Sequence, residues 1–302
     1  MKSPKKSVCV LGLGYIGLPL AVILSYRGYR VHGCDISDRV VKSITDGKAG
    51  ALEPDLSSLL KNQIQSGRLS VSLEPRSADI FVICVPTPLE VSDSGISPDL
   101  QYVFNAASSI TELLVTGNLV IIESTCPVGT TELVRDRMIN EGRDVDGVHL
   151  TYCPERVLPG NILEELTTND RIVGGLSREG TELARELYSQ ITSGEIFETD
   201  VKTAELCKLA ENSFRDVNIA FANELSILCD EENIDVRQVI QLSNRHPRVN
   251  ILSPGAGVGG HCIAIDPWFL ASGRKNAKLI RTARQVNDFK TTWVIEKILR
   301  RA

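Results

Sequence analysis

The sequence predicts an α/β chain, in which a doubly wound parallel sheet is followed by an all-helical domain with one long helix. Three observations predict it. Short apolar runs alternate with helical patterns through the first 200 residues. Strand signals almost vanish after that point. From Val201 to about Asn233 the chain holds neither glycine nor proline, so one continuous helix fits.

The elements follow in order. "SVCVLGLG" reads as a buried strand and "YIGLPLAVILSYRG" as the helix after it. "YRVHGCD", "LSVSL", "DIFVICV", "NLVIIEST", "GVHLTYC", "RIVGGL" and "EIFETD" read as further strands. "LQYVFNAASSITELL" and "REGTELARELYSQI" are helical between them. Alternation of this kind places helices on both faces of a parallel sheet. The boundary falls near Asp200, giving residues 1–200 as the sheet domain and 201–302 as the helical one, with a second helical stretch from about Asn276.

Composition excludes several classes. With 42% hydrophobic and 24% charged residues, the 302-residue chain reads as globular, and its length suits two domains. A net charge of −5 offers no basic field for nucleic acid or anionic lipid. The basic start of "MKSPKKSVCVLGLGYIG" imitates a secretion signal, but Gly12, Gly14 and Gly17 break the apolar run. No run of about 20 apolar residues exists to span a membrane. A cytoplasmic protein is expected. The eight cysteines are scattered without a C-x-x-C pair, as buried thiols of a reducing compartment would be.

"GLGYIG" places Gly12, Gly14 and Gly17 at the end of one strand and the start of a helix, with Tyr15 and Ile16 between them. Gly12 permits the tight turn, Gly14 admits a pyrophosphate to the backbone, and Gly17 lets helix pack on strand. The helix N-terminus adds free N–H groups and a partial positive charge. The next strand ends at Asp35, 18 residues after Gly17. A carboxylate there accepts hydrogen bonds from both ribose hydroxyls and repels a 2′-phosphate, which favours NAD over NADP. Arg39, just downstream, works against that preference. In register, these parts describe a Rossmann-type dinucleotide domain rather than a chance glycine turn.

Three later strand ends carry polar clusters: "VPTP" with Pro86 and Thr87, "ESTCPVGT" with Thr125, and "YCPER" with Glu155 and Arg156, followed by Val157. Ligands of open α/β sheets sit beyond the carboxyl ends of the strands. One cluster would be plain turn chemistry, but three in one sheet make a place for cofactor and substrate to meet.

On the long helix, Lys208 and Asn212 are four apart and share a face, about 5–6 Å between Cβ atoms, with Glu205 one turn earlier. A lysine beside an amide suits an oxyanion or an alcohol oxygen. The plainer alternative is a solvated face with a Glu–Lys pair. "GVGGHCIAIDPW" sets Cys262 after a glycine pair and four residues before Asp266. A metal site would need three or four ligands, and His261 with Cys262 offers two. A buried inert thiol and a nucleophile are the other readings.

Taken together, "GLGYIGLPLA", "VPTP", "ESTCPVGT", "YCPERVLPG", "AELCKLAENSFRDVNIAFANE" and "GVGGHCIAIDPWF" resemble, in order and over nearly the whole chain, the NAD-dependent nucleotide-sugar 6-dehydrogenases. Within that family the residues around Cys262, with "ERVLPGNILEEL" and "LIRTARQVND", resemble enzymes of UDP-N-acetylhexosamines more than those of UDP-glucose or GDP-mannose. UDP-N-acetylmannosamine is the first expected substrate and its C2 epimer the second. Family members usually carry a further C-terminal nucleotide-binding domain, which is expected to be absent from this chain.

The resemblance implies a four-electron oxidation of a C6 alcohol to a carboxylate, with Cys262 adding to the intermediate aldehyde. A thiolate is both a good nucleophile and a good leaving group. It also implies that Lys208 and Asn212 hold the reacting oxygen, that Glu155 activates the hydrolytic water or holds the thiohemiacetal, that Thr125 positions a water or the nicotinamide, and that Asp266 acts as a base or its partner. Arg156, Val157, Arg215, His246, Arg248, Asn250, Gly259 and His261 fall on the matching substrate segments. A homodimer through the long helix is implied as well. Two other classes stay open at this point: a two-electron β-hydroxyacid-type dehydrogenase, which needs no cysteine, and an NAD-binding dimer without turnover.

Overall fold

The computed structural model describes residues 5–48, 54–92, 95–143, 145–157 and 160–301. Its two compact units are Met1–Thr87 with Asp99–Leu206, and Pro88–Pro98 with Cys207–Ala302. Leu158 and Pro159 of the "YCPERVLPG" motif lie outside the described residues.

The first unit begins with β1 (Ser7–Leu11), α1 (Gly17–Tyr26), β2 (Arg30–Cys34), α2 (Asp38–Thr45), α3 (Pro54–Gln65), β3 (Leu69–Ser72) and β4 (Ile80–Ile83). After a hairpin, β5 (Leu89–Ser92) and β6 (Gly95–Pro98), that belongs to the second unit, it resumes. There follow α4 (Gln101–Thr111), β7 (Leu119–Ile122), α5 (Thr130–Asn140), β8 (His149–Tyr152), α6 (Ile162–Thr168), β9 (Arg171–Gly175), α7 (Arg178–Ser189) and β10 (Ile196–Asp200).

Eight strands form one sheet in the order β10-β9-β8-β7-β4-β1-β2-β3. Its centre is buried on both faces. Val8 and Val10 of β1 point into the cluster under α1 and α3, while Cys9 and Leu11 point into the cluster under α4 and α5. That is why the strands read as unbroken apolar runs instead of alternating ones. The same pressure explains α1, which is buried from Gly17 through Ser25 and apolar almost all round. The chain leaves β1 toward β2 and β3, then returns to β4 on the other side of β1. This reversal opens a crevice at the carboxyl ends of β1 and β4.

The doubly wound class stands, with one addition. β9 pairs antiparallel with β8, and β10 runs parallel to β9, so these two strands oppose the rest. Alternation of strands and helices carries no sign of strand direction at a sheet edge.

The second unit contains α8 (Val201–Glu231) from Cys207 onward, α9 (Val236–Ser243), α10 (Asp266–Ala271), α11 (Lys278–Arg301) and the β5–β6 hairpin. The boundary between the units falls inside α8. The apolar cluster here is small: Leu209, Phe269 and Leu270, backed by Leu89, Ile265 and Ile280. A buried polar ladder joins α8 to α11 instead. Arg284 donates to Asp216 at 2.7 Å, Asn287 donates to the same carboxylate at 2.8 Å, and Asn223 donates to Asn287 at 2.8 Å. The ladder also reaches the glycine-rich loop, since Asn223 accepts the Gly255 N–H at 2.8 Å. Gly257 has φ +130°, and a Cβ there would meet Thr291 Oγ1 at 2.1 Å, so its glycine is needed for the loop to lie against α11.

Among the described residues, no helix is long and apolar enough to cross a membrane.

Candidate functional site

The glycine turn is built as the spacing predicts. Gly12 has φ +87°, and a Cβ on it would stand 2.5 Å from the Cys84 carbonyl oxygen. A Cβ on Gly17 would stand 1.9 Å from the Gly12 carbonyl oxygen, so α1 packs directly on the turn. Gly14 is different, because a Cβ there would meet nothing within 4 Å. Its neighbourhood is open, as the approach of a pyrophosphate to the backbone requires. Ile16 caps α1 with no side-chain hydrogen bond, which leaves that helix end to its backbone N–H groups.

Asp35 is held in place from two sides. One carboxylate oxygen accepts the Leu13 N–H at 2.9 Å and the other accepts the Ser37 N–H at 2.9 Å. The glycine turn and the strand-end acid are thereby one rigid piece. Each oxygen retains a lone pair for a hydroxyl. Arg39 is exposed in the first turn of α2. Ile36, which sequence reasoning passed over, is an apolar side chain 88% exposed beside Asp35. Its only signal was an apolar residue directly after the strand-end acid.

The three polar clusters follow β4, β7 and β8, which run parallel, so they share one edge of the sheet. Ser124 joins two of them, accepting the Val85 N–H at 2.9 Å and donating to the Val85 carbonyl at 2.8 Å. Pro86 is exposed, while Thr87 and Thr125 are half-buried. Glu155 is buried, and its Oε1 accepts the N–H groups of Arg156 at 2.6 Å and Val157 at 2.9 Å. The Arg156 guanidinium donates to the Asp170 carbonyl at 3.2 Å.

Behind these clusters lies a buried group that the motifs did not reveal. Arg171 is within 3.4 Å of Glu155 and 3.6 Å of Glu123. Tyr188 donates to Glu123 at 2.5 Å, and the Cys84 thiol lies 3.5 Å from the same carboxylate. Burial raises the Glu123 pKa to about 7, with Arg171 opposing and Glu155 reinforcing the shift.

Glu205 does not join the face of Lys208 and Asn212 as a solvated partner. It is buried and accepts the N–H groups of Gly129 at 2.6 Å and Thr131 at 2.9 Å, with the Thr131 hydroxyl at 2.7 Å. It closes the N-terminus of α5. Its pKa is raised by burial and restrained by those hydrogen bonds.

In the second unit, Cys262 is exposed and Asp266 is buried one helical turn later at the start of α10. The Cys262 carbonyl accepts the Ile265 and Asp266 N–H groups at 2.9 and 2.8 Å. Asn212 of α8 donates to the Asp266 carboxylate at 2.6 Å. Burial lifts the Asp266 pKa to about 6, against the opposing pull of Asn212 and Lys208. The Cys262 thiol is pushed up by the protein around it and by Asp266, while Lys208 and Arg215 pull it down. Asp266, Lys208 and Arg215 thus lie within electrostatic reach of Cys262, and Asn212 lies against Asp266. Gly259 is exposed with open space about it, and His261 is exposed. His246, Arg248 and Asn250 are exposed on a separate loop. Asn244 clamps that loop, accepting the Ile251 N–H at 2.8 Å and donating to its carbonyl at 3.0 Å. Among the described residues, no hydrogen bond joins this loop to Cys262 or Asp266. All eight cysteines are free, five of them buried.

Family models settle the class. Residues 6–192 match the NAD binding domain of the UDP-glucose/GDP-mannose dehydrogenase family, and residues 202–289 match its central domain. The chain belongs to that family. NAD is its cofactor, and the open approach at Gly14 and the anchored Asp35 fit it. The UDP-N-acetyl-D-mannosamine dehydrogenase of Methanocaldococcus jannaschii is 50% identical over 97% of this chain and 68% of that relative. An NDP-N-acetyl-D-galactosaminuronic acid dehydrogenase of Ralstonia nicotianae is 47% identical over 97% of this chain and 71% of its own length. The structure of UDP-D-ManNAc dehydrogenase from Pyrococcus horikoshii superposes with a TM-score of 0.90 at 42% identity, covering 97% of this chain and 71% of that one.

Two outcomes follow from the geometry of the glycine turn. Gly17→Ala should lower Tm by roughly 5–10 °C or prevent folding, because backbone must move. Gly14→Ala should leave Tm within about 2 °C yet weaken NAD binding roughly tenfold, since only the ligand needs that space. Thermal scans and NAD titration separate the two.

A third outcome concerns Asp266. Its raised pKa means that folding favours the neutral carboxyl, so the ionised form destabilises the protein above about pH 6. That penalty fades as the pH falls toward the unfolded value of about 4. Asp266→Asn should therefore be more stable than wild type at pH 8 by about 1–3 kcal/mol, with the gap closing near pH 4. Denaturant unfolding at both pH values measures it.

Proposed function

We propose that the chain oxidises the C6 alcohol of UDP-N-acetyl-D-mannosamine to the carboxylate, using two NAD and one water per sugar. The observation that carries the mechanism is the pairing of exposed Cys262 with buried Asp266, itself held by Asn212 at 2.6 Å. A family that needed only one hydride transfer would have no use for a thiol there. The substrate rests on the relatives named for UDP-N-acetyl-D-mannosamine.

NAD supplies the hydride acceptor in both oxidations. Lys208 and Asn212 hold the alcohol oxygen while its proton leaves and the aldehyde forms. The second N–H of the Asn212 amide remains for this contact while the first serves Asp266. Cys262 then adds to the aldehyde, its proton passing to a nearby base, the role assigned to Asp266. The thiohemiacetal loses a second hydride and becomes a thioester. Water attacks, sulfur leaves, and the thiol is restored with the carboxylate. Glu155 activates that water and Thr125 orients it. Arg156, Val157, Arg215, His246, Arg248, Asn250, Gly259 and His261 are assigned to the sugar nucleotide. NAD binding falls to residues 1–200 and dimerisation to residues 201–302. Free cysteines and an NAD-linked reaction suit a cytoplasmic setting.

The second copy is argued from α8. Phe214, Phe221 and Leu228 are 70%, 55% and 52% exposed. They lie seven residues apart, so they form one stripe along the helix. A stripe of that kind in water calls for a partner, and a like helix from a second chain matches its repeat.

Wild type should release two NADH per molecule of UDP-N-acetylmannosamine, and fewer or none from the glucosamine and galactosamine epimers. The galactosaminuronate relative makes the last of these a needed comparison. Cys262→Ser should bind NAD normally but form uronate at least about 100-fold more slowly. Uronate at the wild-type rate would remove the thioester from the scheme. Light scattering should report a dimer at micromolar concentration, and Phe221→Glu should shift it to monomer. A monomeric wild type would refute the stripe as an interface.

A further inference from the structure

We propose that Arg171 is a positioning residue for Glu155, acting as a buried bridge between that carboxylate and Glu123. The proposal rests on the reading of Glu155 given above.

The argument begins with strand direction. β9 opposes β8, with Tyr152 paired to Gly174 and Thr151 to Gly175. Continuing that register by three residues sets Glu155 opposite Arg171. A parallel strand would have delivered its first residue to the far edge of the sheet. The antiparallel one brings its first residue, Arg171, to the edge where the polar clusters gather. Arg171 is 4% exposed. Its guanidinium lies over the Tyr188 ring at 4.7 Å, with Nη2 3.4 Å from Glu155 Oε2 and Nη1 3.6 Å from Glu123 Oε1.

The two oxygens of Glu155 are thus held by different means. Oε1 takes two backbone N–H groups and Oε2 faces the guanidinium. Backbone donors alone leave the carboxylate free to tilt about Oε1, whereas the second anchor fixes its plane. Glu123 holds the other end of the bridge. Tyr188 donates to it at 2.5 Å and Cys84 lies against it, so it cannot follow if Arg171 moves. Burial opposes the charge of Arg171, but Glu155, then Cys153 and Glu123, outweigh it and raise its pKa, so the cation persists. A planar fork suits two acceptors at once, which a lysine ammonium does not. None of Glu123, Arg171 and Tyr188 needs to touch substrate in the reaction as drawn.

The test is a pair of double-variant cycles on Arg171→Lys and Glu155→Gln, made in the whole protein. Lysine keeps the charge and the burial, so the variant should fold where Arg171→Met would strand two carboxylates. In kinetics with NAD and UDP-N-acetylmannosamine, each single variant should lower kcat by about 10-fold or more, with KM for NAD within about threefold of wild type. The double variant should be within about threefold of the slower single variant, because both remove one function. Wild-type kcat in Arg171→Lys, or losses that multiply, would overturn the proposal. Urea unfolding of the same four proteins gives a readout that needs no turnover. It should show Arg171 and Glu155 coupled by about fivefold or more in the unfolding constant. Coupling below about twofold means that Arg171 does not hold Glu155, whatever the substrate. If wild type forms no NADH from any UDP-N-acetylhexosamine, the functional reading fails, and the unfolding cycle still judges the bridge.

Discussion

A sheet covered on both faces has nowhere to place polar chemistry except the ends of its strands. Val8, Val10, Cys9 and Leu11 show the constraint within one strand, since each alternate face enters an apolar cluster. The groups of the first unit proposed to meet a ligand are therefore pushed past the last residue of β1, β2, β4, β7 or β8. Gly12, Asp35, Thr87, Thr125 and Glu155 all lie beyond such an end. The direction reversal of β9 turns the same constraint to use, because it brings a cation to an edge crowded with carboxylates.

Charge withdrawn from water explains much of the remaining detail. In the first unit, Glu123 and Glu155 share Arg171, and burial still lifts the Glu123 pKa to about 7. In the second, Asp266 accepts a hydrogen bond from Asn212, and burial lifts it to about 6. Both carboxyls thus titrate nearer to neutrality than an exposed one. A carboxyl of that kind can hold or release a proton during a reaction near neutral pH. The stability forgone by burying Asp266 is consistent with a site selected for chemistry.

The second unit relies on a polar ladder more than on an apolar core. Asp216, Arg284, Asn287 and Asn223 pair in sequence between α8 and α11, and Asn223 extends the chain of bonds to Gly255. A loop so anchored at one end, with Gly257 pressed against Thr291, presents Gly259 and Gly260 to open space. Rigid support below and free space above suit the role proposed for Cys262.

The sequence by itself determined the local pieces. Period and punctuation located β1, α1, β2 and the long α8 to within a few residues, because buried strands, a glycine turn and an uninterrupted helix are short-range patterns. It placed Cys262 with Asp266 and Lys208 with Asn212, as each pair lies within one or two turns of chain. Tertiary structure alone decided the rest. The antiparallel course of β9, the transfer of residues 88–98 to the second unit, and the meeting of Glu123, Arg171 and Tyr188 all depend on partners tens of residues away. Glu205 shows the difference within a single helix. Its spacing puts it in line with Lys208 and Asn212, yet the free N–H groups of α5, some 75 positions earlier, claim its carboxylate. A buried carboxyl goes where unsatisfied donors are, and no periodicity in the chain records where those will be.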